Sequence, residues 1–258
     1  MTNFAIWCDT TDVTADPSQG SLHIVTTDVA RVGIGIDAVA GALPSHYIPA
    51  EELAQAFSDL NQSQYASYIA KEMPSRLTLK SGDLGEVMGM AYLEERTDWS
   101  ISVRKLRYSP TRRMPMHGDD LLAFKIDPND NFHVLKGEAK SRATLATNVI
   151  QDALSKLDEF DGCPDPATIN FCRRMLIGEG RVVESERIFK EQWKIGITPN
   201  KVTHMIFTFT GNAPEDFLNA DLGGPLNVAA RTHVGLRIEN HQDFLKAVYD
   251  KVLADAES

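Results

Sequence analysis

The 258-residue sequence predicts an α/β fold, with an αβββαβ core at residues 76–258 behind an N-terminal α+β extension at 1–75. Three observations carry this expectation. Apolar runs such as His204-Met205-Ile206-Phe207-Thr208-Phe209 have the length and content of strands. Longer stretches repeat at helical spacing, as Phe244, Leu245, Val248, Tyr249, Val252 and Leu253 do within 241–256. Between Leu121-Leu122-Ala123-Phe124 and the run ending at Lys136 lies Asp127-Pro128-Asn129-Asp130, a strong turn signal.

In chain order, Leu22-His23-Ile24-Val25 and Val32-Gly33-Ile34-Gly35-Ile36 predict strands. Pro49-Ala50-Glu51-Glu52 opens a helix with Leu53, Ala56, Phe57 and Leu60 on one face. Pro74 punctuates the chain, and a soft boundary falls near residue 75. The core then starts with a helix over 81–95, for which Ser81 or Asp83 offers a cap. A strand over Trp99–Val103 follows, then the two strands of the hairpin. A helix from about 143 carries Ala146, Val149, Ile150, Ala153, Leu154 and Leu157, and a helical stretch around 184–194 precedes the 204–209 strand. A strand near 232–238 and the 241–256 helix close the chain.

Composition sets limits. The 43% hydrophobic and 24% charged content is that of an ordinary globular protein. No apolar run approaches the roughly 18 residues of a membrane span, so no membrane association is expected. The N-terminus lacks a basic start and apolar stretch, and Cys8, Cys163 and Cys172 are few and not in metal-binding pairs. A reduced, cytoplasmic setting is the expectation. The net charge of −10 argues against strong intrinsic affinity for nucleic acid. Against it stands a basic run, Arg104, Lys105, Arg107, Arg112 and Arg113, as a candidate DNA contact just before Asp119-Asp120.

The hairpin concentrates chemistry. A turn centred on Asn129 places Asp120 opposite Glu138, with Cβ atoms about 4.5–5.5 Å apart. Period-two alternation puts Lys136, Glu138 and Lys140 on one face. Two carboxylates so close repel unless a cation lies between them or one is protonated. A divalent metal held by Asp120, Glu138 and the Ala139 carbonyl is the economical explanation. Asp119 competes for the same role, because a one-residue slip or a bulge would exchange the two faces.

Gly118-Asp119-Asp120-Leu121 and Glu138-Ala139-Lys140, with Glu86 on the preceding helix and Gln151 on the following one, resemble the PD-(D/E)xK nuclease superfamily in this element order. Lys136-Gly137-Glu138-Ala139-Lys140-Ser141, within Phe124 to Arg142, and Ser81-Gly82-Asp83-Leu84-Gly85-Glu86 are similar more closely to the HamA nuclease-subunit family of Hachiman anti-phage defence systems. The resemblance implies a restriction-endonuclease-like core, a superfamily 2 helicase partner, HamB, and degradation of DNA. It implies Asp120, Glu138, Lys140 and Glu86 as catalytic residues, with Glu86 supporting the metal.

The chemistry fits those residue types. Mg²⁺ or Mn²⁺ suits hard oxygen ligands and retains waters. It would lower the pKa of a bound water and neutralise phosphate charge, while Lys140 would orient the attacking water. Other features carry less. His117 lies near the site, but the histidines show no HExxH spacing, and Gly178-Glu179-Gly180 lacks the Lys-Ser/Thr of a phosphate loop. Any ATP use would therefore belong to a partner. A nuclease-fold subunit that binds and restrains a helicase without cutting is the alternative reading.

Overall fold

The two runs flanking Asn129 pair as a hairpin, and a sheet extends outward on both sides of it. The computed structural model describes residues 1–13, 20–109, 118–222 and 227–258. The N-terminal part supplies α1 (Phe4–Trp7), β1 (Asp9–Asp12), β2 (Ser21–Thr26), α2 (Val32–Ala42), α3 (Pro44–Tyr47), α4 (Ala50–Asp59) and α5 (Gln62–Glu72). Then come α6 (Leu77–Arg96), β3 (Ser100–Ile101), a 3₁₀ turn at Lys105–Tyr108, β4 (Leu121–Ile126), β5 (Phe132–Arg142) and α7 (Thr147–Asp158). They are followed by α8 (Pro166–Gly178), α9 (Val182–Lys190) running into a π turn at Glu191–Ile195, β6 (Val202–Thr210), α10 (Glu215–Leu222), β7 (Ala230–Arg237) and α11 (His241–Ala256).

Among the described residues, the strands form one sheet in the order β1-β2-β7-β6-β5-β4-β3. Strands β5, β6, β7 and β2 run parallel; on one side β4 pairs antiparallel with β5 and β3 antiparallel with β4, and on the other β1 pairs antiparallel with β2. Helices cover both faces, which is why β6 is buried on both its sides, with Thr208 and Thr210 enclosed beside Met205, Ile206, Phe207 and Phe209. Leu121, Leu135, Met205, Phe207 and Val234 pack toward α2, α6 and α11. Leu22, Ile24 and Ile206 pack with α7 and α10, and Leu122, Phe124 and Val134 with α8 and α9. The expected α/β class is present; between β5 and β6 stand three helices, α7, α8 and α9, where the αβββαβ order has one.

The core is continuous across residue 75. Trp7, Leu43, Ile48 and Met73 belong to the same buried cluster as Leu84, Phe207 and Phe244, and the Trp7 and Phe244 rings stack at 5.8 Å.

Several elements differ from expectation. Residues 32–42 form helix α2, not a strand. Val32, Ile36, Val39, Ala40 and Leu43 recur every three or four residues and turn one face to the core; the glycines between them imitate period two. The strand expected over 99–103 shrinks to Ser100–Ile101, paired with Phe124 and Ala123. The Arg181 guanidinium takes the Ile101 and Ser102 carbonyls at 3.0 and 2.7 Å, covering this edge without another strand. Helix α6 starts at Leu77, so Ser81 and Asp83 are not caps: Ser81 bonds the Ser141 hydroxyl and Asp83 accepts from Tyr47. In α4 no residue is fully buried, and Phe57 stands 74% exposed. Helices α8 and α10 were not anticipated, although Asp165-Pro166 is a sound helix start, with the Asp165 carboxylate capping the Ala167 amide.

Two buried histidines set an acid limit on this fold. Burial first, then the charges of Arg104 and Arg107, push His46 down to about 3. Burial and Arg142 push His241 down to about 4. Both stay neutral when folded, whereas an unfolded histidine titrates near 6.5. Their stabilising contribution is therefore complete above about pH 6.5 and is lost as pH falls toward the folded values. The decrease in unfolding free energy from pH 7.5 to pH 5, measured by urea titration, should be smaller in His241→Gln than in the parent by about 2 kcal/mol. Equal decreases would contradict a neutral buried imidazole.

Candidate metal centre

The β4–β5 ladder runs from Ile126–Phe132 to Leu121–Gly137, the register centred on Asn129. It stops there because β4 begins one residue after Asp120. Beyond Gly137 the Asp120 side chain takes over from the ladder: its Oδ2 accepts the Ala139 amide at 3.2 Å. Asp120 thus sits across from Glu138. Asp119 turns away, its Oδ2 accepting the Asp165 amide at 3.0 Å and its Oδ1 lying 4.0 Å from Lys136 Nζ. Gly118 makes the turn into this pair at φ +99°, and any Cβ there would collide with the Thr168 hydroxyl.

Glu138 and Lys140 are two residues apart on β5 and face the same side. Lys140 Nζ donates to Glu138 Oε1 at 2.6 Å, with both side chains mostly buried. Burial, then the Asp120 charge, pushes the Glu138 carboxyl up to about 7, against the pull of Lys140.

Glu86 arrives from the other face of the sheet edge. Helix α6 lies close on β4 because Gly89 has no side chain; a Cβ there would come 2.9 Å from Leu121 Cδ1. Burial raises the Glu86 carboxyl well above the ordinary carboxylate range; Lys105 opposes this, and Asp120 and Asp83 add to it. Glu86 Oε2 lies 3.2 Å from Lys105 Nζ but, among the described residues, is buried without an aligned hydrogen-bond donor. Lys105 also reaches Asp120 Oδ1 at 3.2 Å and the Asp119 carbonyl at 3.3 Å.

Among the described residues, no three carboxylate, histidine or cysteine side chains converge as a ligand set. Here the lysines stand among the acids. The donor chemistry nonetheless suits a small hard cation: the carboxyls of Glu86 and Glu138 are raised by burial first, with the Asp120 charge adding to it, and among the described residues one Glu86 oxygen lacks an aligned donor. Asp120, Glu138 and Glu86 are the residues that would hold it.

The remaining expected residues are dispersed. Lys105, expected in the basic run as a DNA contact, has its side chain buried in the acidic cluster instead. Its depth leaves only a faint trace in sequence, the apolar neighbours Val103 and Leu106. Arg104 grips Glu94, and Arg107 donates to the Ser45 carbonyl at 2.8 Å. Arg112, Arg113 and His117 fall outside the described residues. Lys136, expected beside Glu138 and Lys140, instead points into the end of α7. Gln151 is exposed on α7.

Residues 2–252 match the family model for HamA. The chain belongs to the HamA family. The match takes in the N-terminal elements as well as Glu86, Asp120, Glu138 and Lys140. This HamA-family chain is also similar to the Hachiman protein HamA of Bacillus cereus, 25% identical over 193 residues, which cover 74% of this chain and 68% of the relative. Among the described residues, no helix is long and apolar enough to cross a membrane.

Proposed function

We propose that this HamA-family chain is a metal-dependent deoxyribonuclease of the PD-(D/E)xK type, acting in Hachiman anti-phage defence with the superfamily 2 helicase HamB. The observation that carries the reading is the end of the hairpin: Asp120 meets β5 at Ala139, flanked by Glu138 and Lys140, with Glu86 entering from α6. Mg²⁺ or Mn²⁺ bound there would supply a Lewis acid that activates water and offsets phosphate charge. Asp120 and Glu138 would hold it, and Glu86 would support it from the helix. Lys140, adjacent to Glu138, orients the attacking water and balances the charge that develops on the phosphate. The net charge of −10 leaves little general attraction for DNA, which fits delivery of the substrate by a helicase.

Replacing Glu138 and Lys140 together by alanine should abolish Mg²⁺-dependent cleavage of plasmid DNA by the helicase complex, with the melting temperature and partner binding retained. Undiminished cleavage by that double variant would refute the assignment. One observation favours a second reading, a restraining subunit without cleavage: each lysine at the site is already paired with a carboxylate. Absence of cleavage by the parent with helicase, ATP and DNA all present would select it.

A further inference from the structure

Lys105 enters the acidic cluster from the 3₁₀ turn after β3, and it stands where a cation would. Three oxygens from three residues surround its Nζ: Glu86 Oε2 at 3.2 Å, Asp120 Oδ1 at 3.2 Å and the Asp119 carbonyl at 3.3 Å. The residue is 5% exposed. An ammonium offers three donors and no acceptor, so this environment suits it, whereas two carboxylates brought together in the interior without a positive charge would be costly. Val103 and Leu106 on either side are buried, which fixes the backbone from which the side chain reaches in.

We propose that Lys105 is an internal counter-ion that holds Glu86 and Asp120 together in the metal-free protein, and that a divalent cation must displace its ammonium to take both carboxylates. The proposal rests on the metal-site reading above. The reason is spatial. A small divalent cation binds carboxylate oxygen at about 2.1 Å. An ion bound to Glu86 Oε2 and Asp120 Oδ1 together would occupy the space between them, where the Lys105 ammonium already lies against both. Two positive charges do not share that position. Lys140 is different, because among the described residues it pairs with Glu138 and not with Asp120.

Metal uptake would then be an exchange of one cation for another. It would be weaker than the ligand set alone allows, and the metal-free fold would be held together until a metal is supplied. Lys105 is in this sense a positioning residue, acting on the metal through Glu86 and Asp120.

The test is Mn²⁺ binding to the full chain, followed by calorimetry, for the parent, Lys105→Gln and Glu138→Ala. The binding of interest is the part that Glu138→Ala removes. The expected result is that Lys105→Gln binds Mn²⁺ at least about tenfold more tightly than the parent. Its metal-free melting temperature should be lower than the parent's, and Mn²⁺ should raise it by more. Equal or weaker binding by Lys105→Gln would overturn the counter-ion proposal and leave the metal site standing. Absence of any Glu138-dependent binding in both proteins would overturn the metal-site reading and this proposal with it. Should Lys105→Gln fail to fold, acylation of the parent decides. Lys105 should be protected from an amine-reactive ester without metal and become modified at saturating Mn²⁺, as read by peptide mass spectrometry. Unchanged protection would overturn the proposal.

Discussion

Replacing Asp120 by asparagine is expected to lower Mg²⁺-dependent DNA cleavage about a thousandfold, while Asp119→Asn keeps most of the activity and loses stability instead. The two carboxylates are neighbours in sequence and opposite in role. Asp120 Oδ2 holds the Ala139 amide and its Oδ1 faces Lys105, so its charge lies in the cluster with Glu86 and Glu138. Asparagine can keep the amide contact through its own oxygen but cannot supply the negative charge that a metal needs. The fold should therefore persist and the chemistry fail. Asp119 holds the Asp165 amide at the start of α8 and lies 4.0 Å from the Lys136 ammonium, and burial raises its carboxyl above the usual range. Its neutral replacement weakens those contacts, a loss of about 1–3 kcal/mol. Thermal melts and cleavage assays on both variants, with the helicase present, separate the roles. The opposite pattern, with Asp119→Asn inactive and Asp120→Asn active, would reassign the ligand.

What sequence makes legible here is local. The hairpin and its register were readable because the turn is self-contained: the Asp127 carboxylate accepts the Asn129 and Asn131 amides, and Asp130 adopts φ +64°. From that register the opposition of Asp120 and Glu138 follows without any knowledge of the rest of the sheet. Helix α11 was readable because its apolar stripe has one period from end to end. Helix α2 was not, because glycines placed every second residue imitate a strand, and only packing against the core separates the alternatives. Lys105 lay furthest beyond reach. Its partners come from a helix well before it and a strand start after it, and beyond the apolar neighbours Val103 and Leu106 the run of arginines and lysines does not mark the one that turns inward. Burial of a charge is decided by tertiary neighbours, and sequence spacing does not carry them. Arg181, which covers the β3 edge from the start of α9, was hidden for the same reason.

Lys136 shows how a single residue can be placed on the correct strand face and still be assigned the wrong neighbours. It shares a β5 face with Glu138 by alternation, but its Nζ donates to the carbonyls of Leu157, Glu159 and Cys163 at 2.9, 2.8 and 3.0 Å. It is 2% exposed, and burial lowers its pKa against the opposing pull of Asp119. A cation at the carbonyls of Leu157 in the last turn of α7, its C-cap Glu159 and Cys163 beyond it satisfies acceptors that the helix end leaves free and sits favourably in the helix dipole. It also joins α7 to the strand that carries Glu138. Lys136→Met keeps the apolar stem but leaves the three carbonyls without their donor and Asp119 without its nearby positive charge. The expected loss is about 3–5 kcal/mol in unfolding free energy, a drop of roughly 10 °C or more in melting temperature. Because part of that loss is the stranded Asp119 charge, adding Asp119→Asn to Lys136→Met should cost less than the sum of the two single losses. Strict additivity would mean that the 4.0 Å approach contributes nothing and that Lys136 acts on the α7 carbonyls alone. A loss under about 1 kcal/mol for Lys136→Met would place the ammonium in solvent, contrary to the structure.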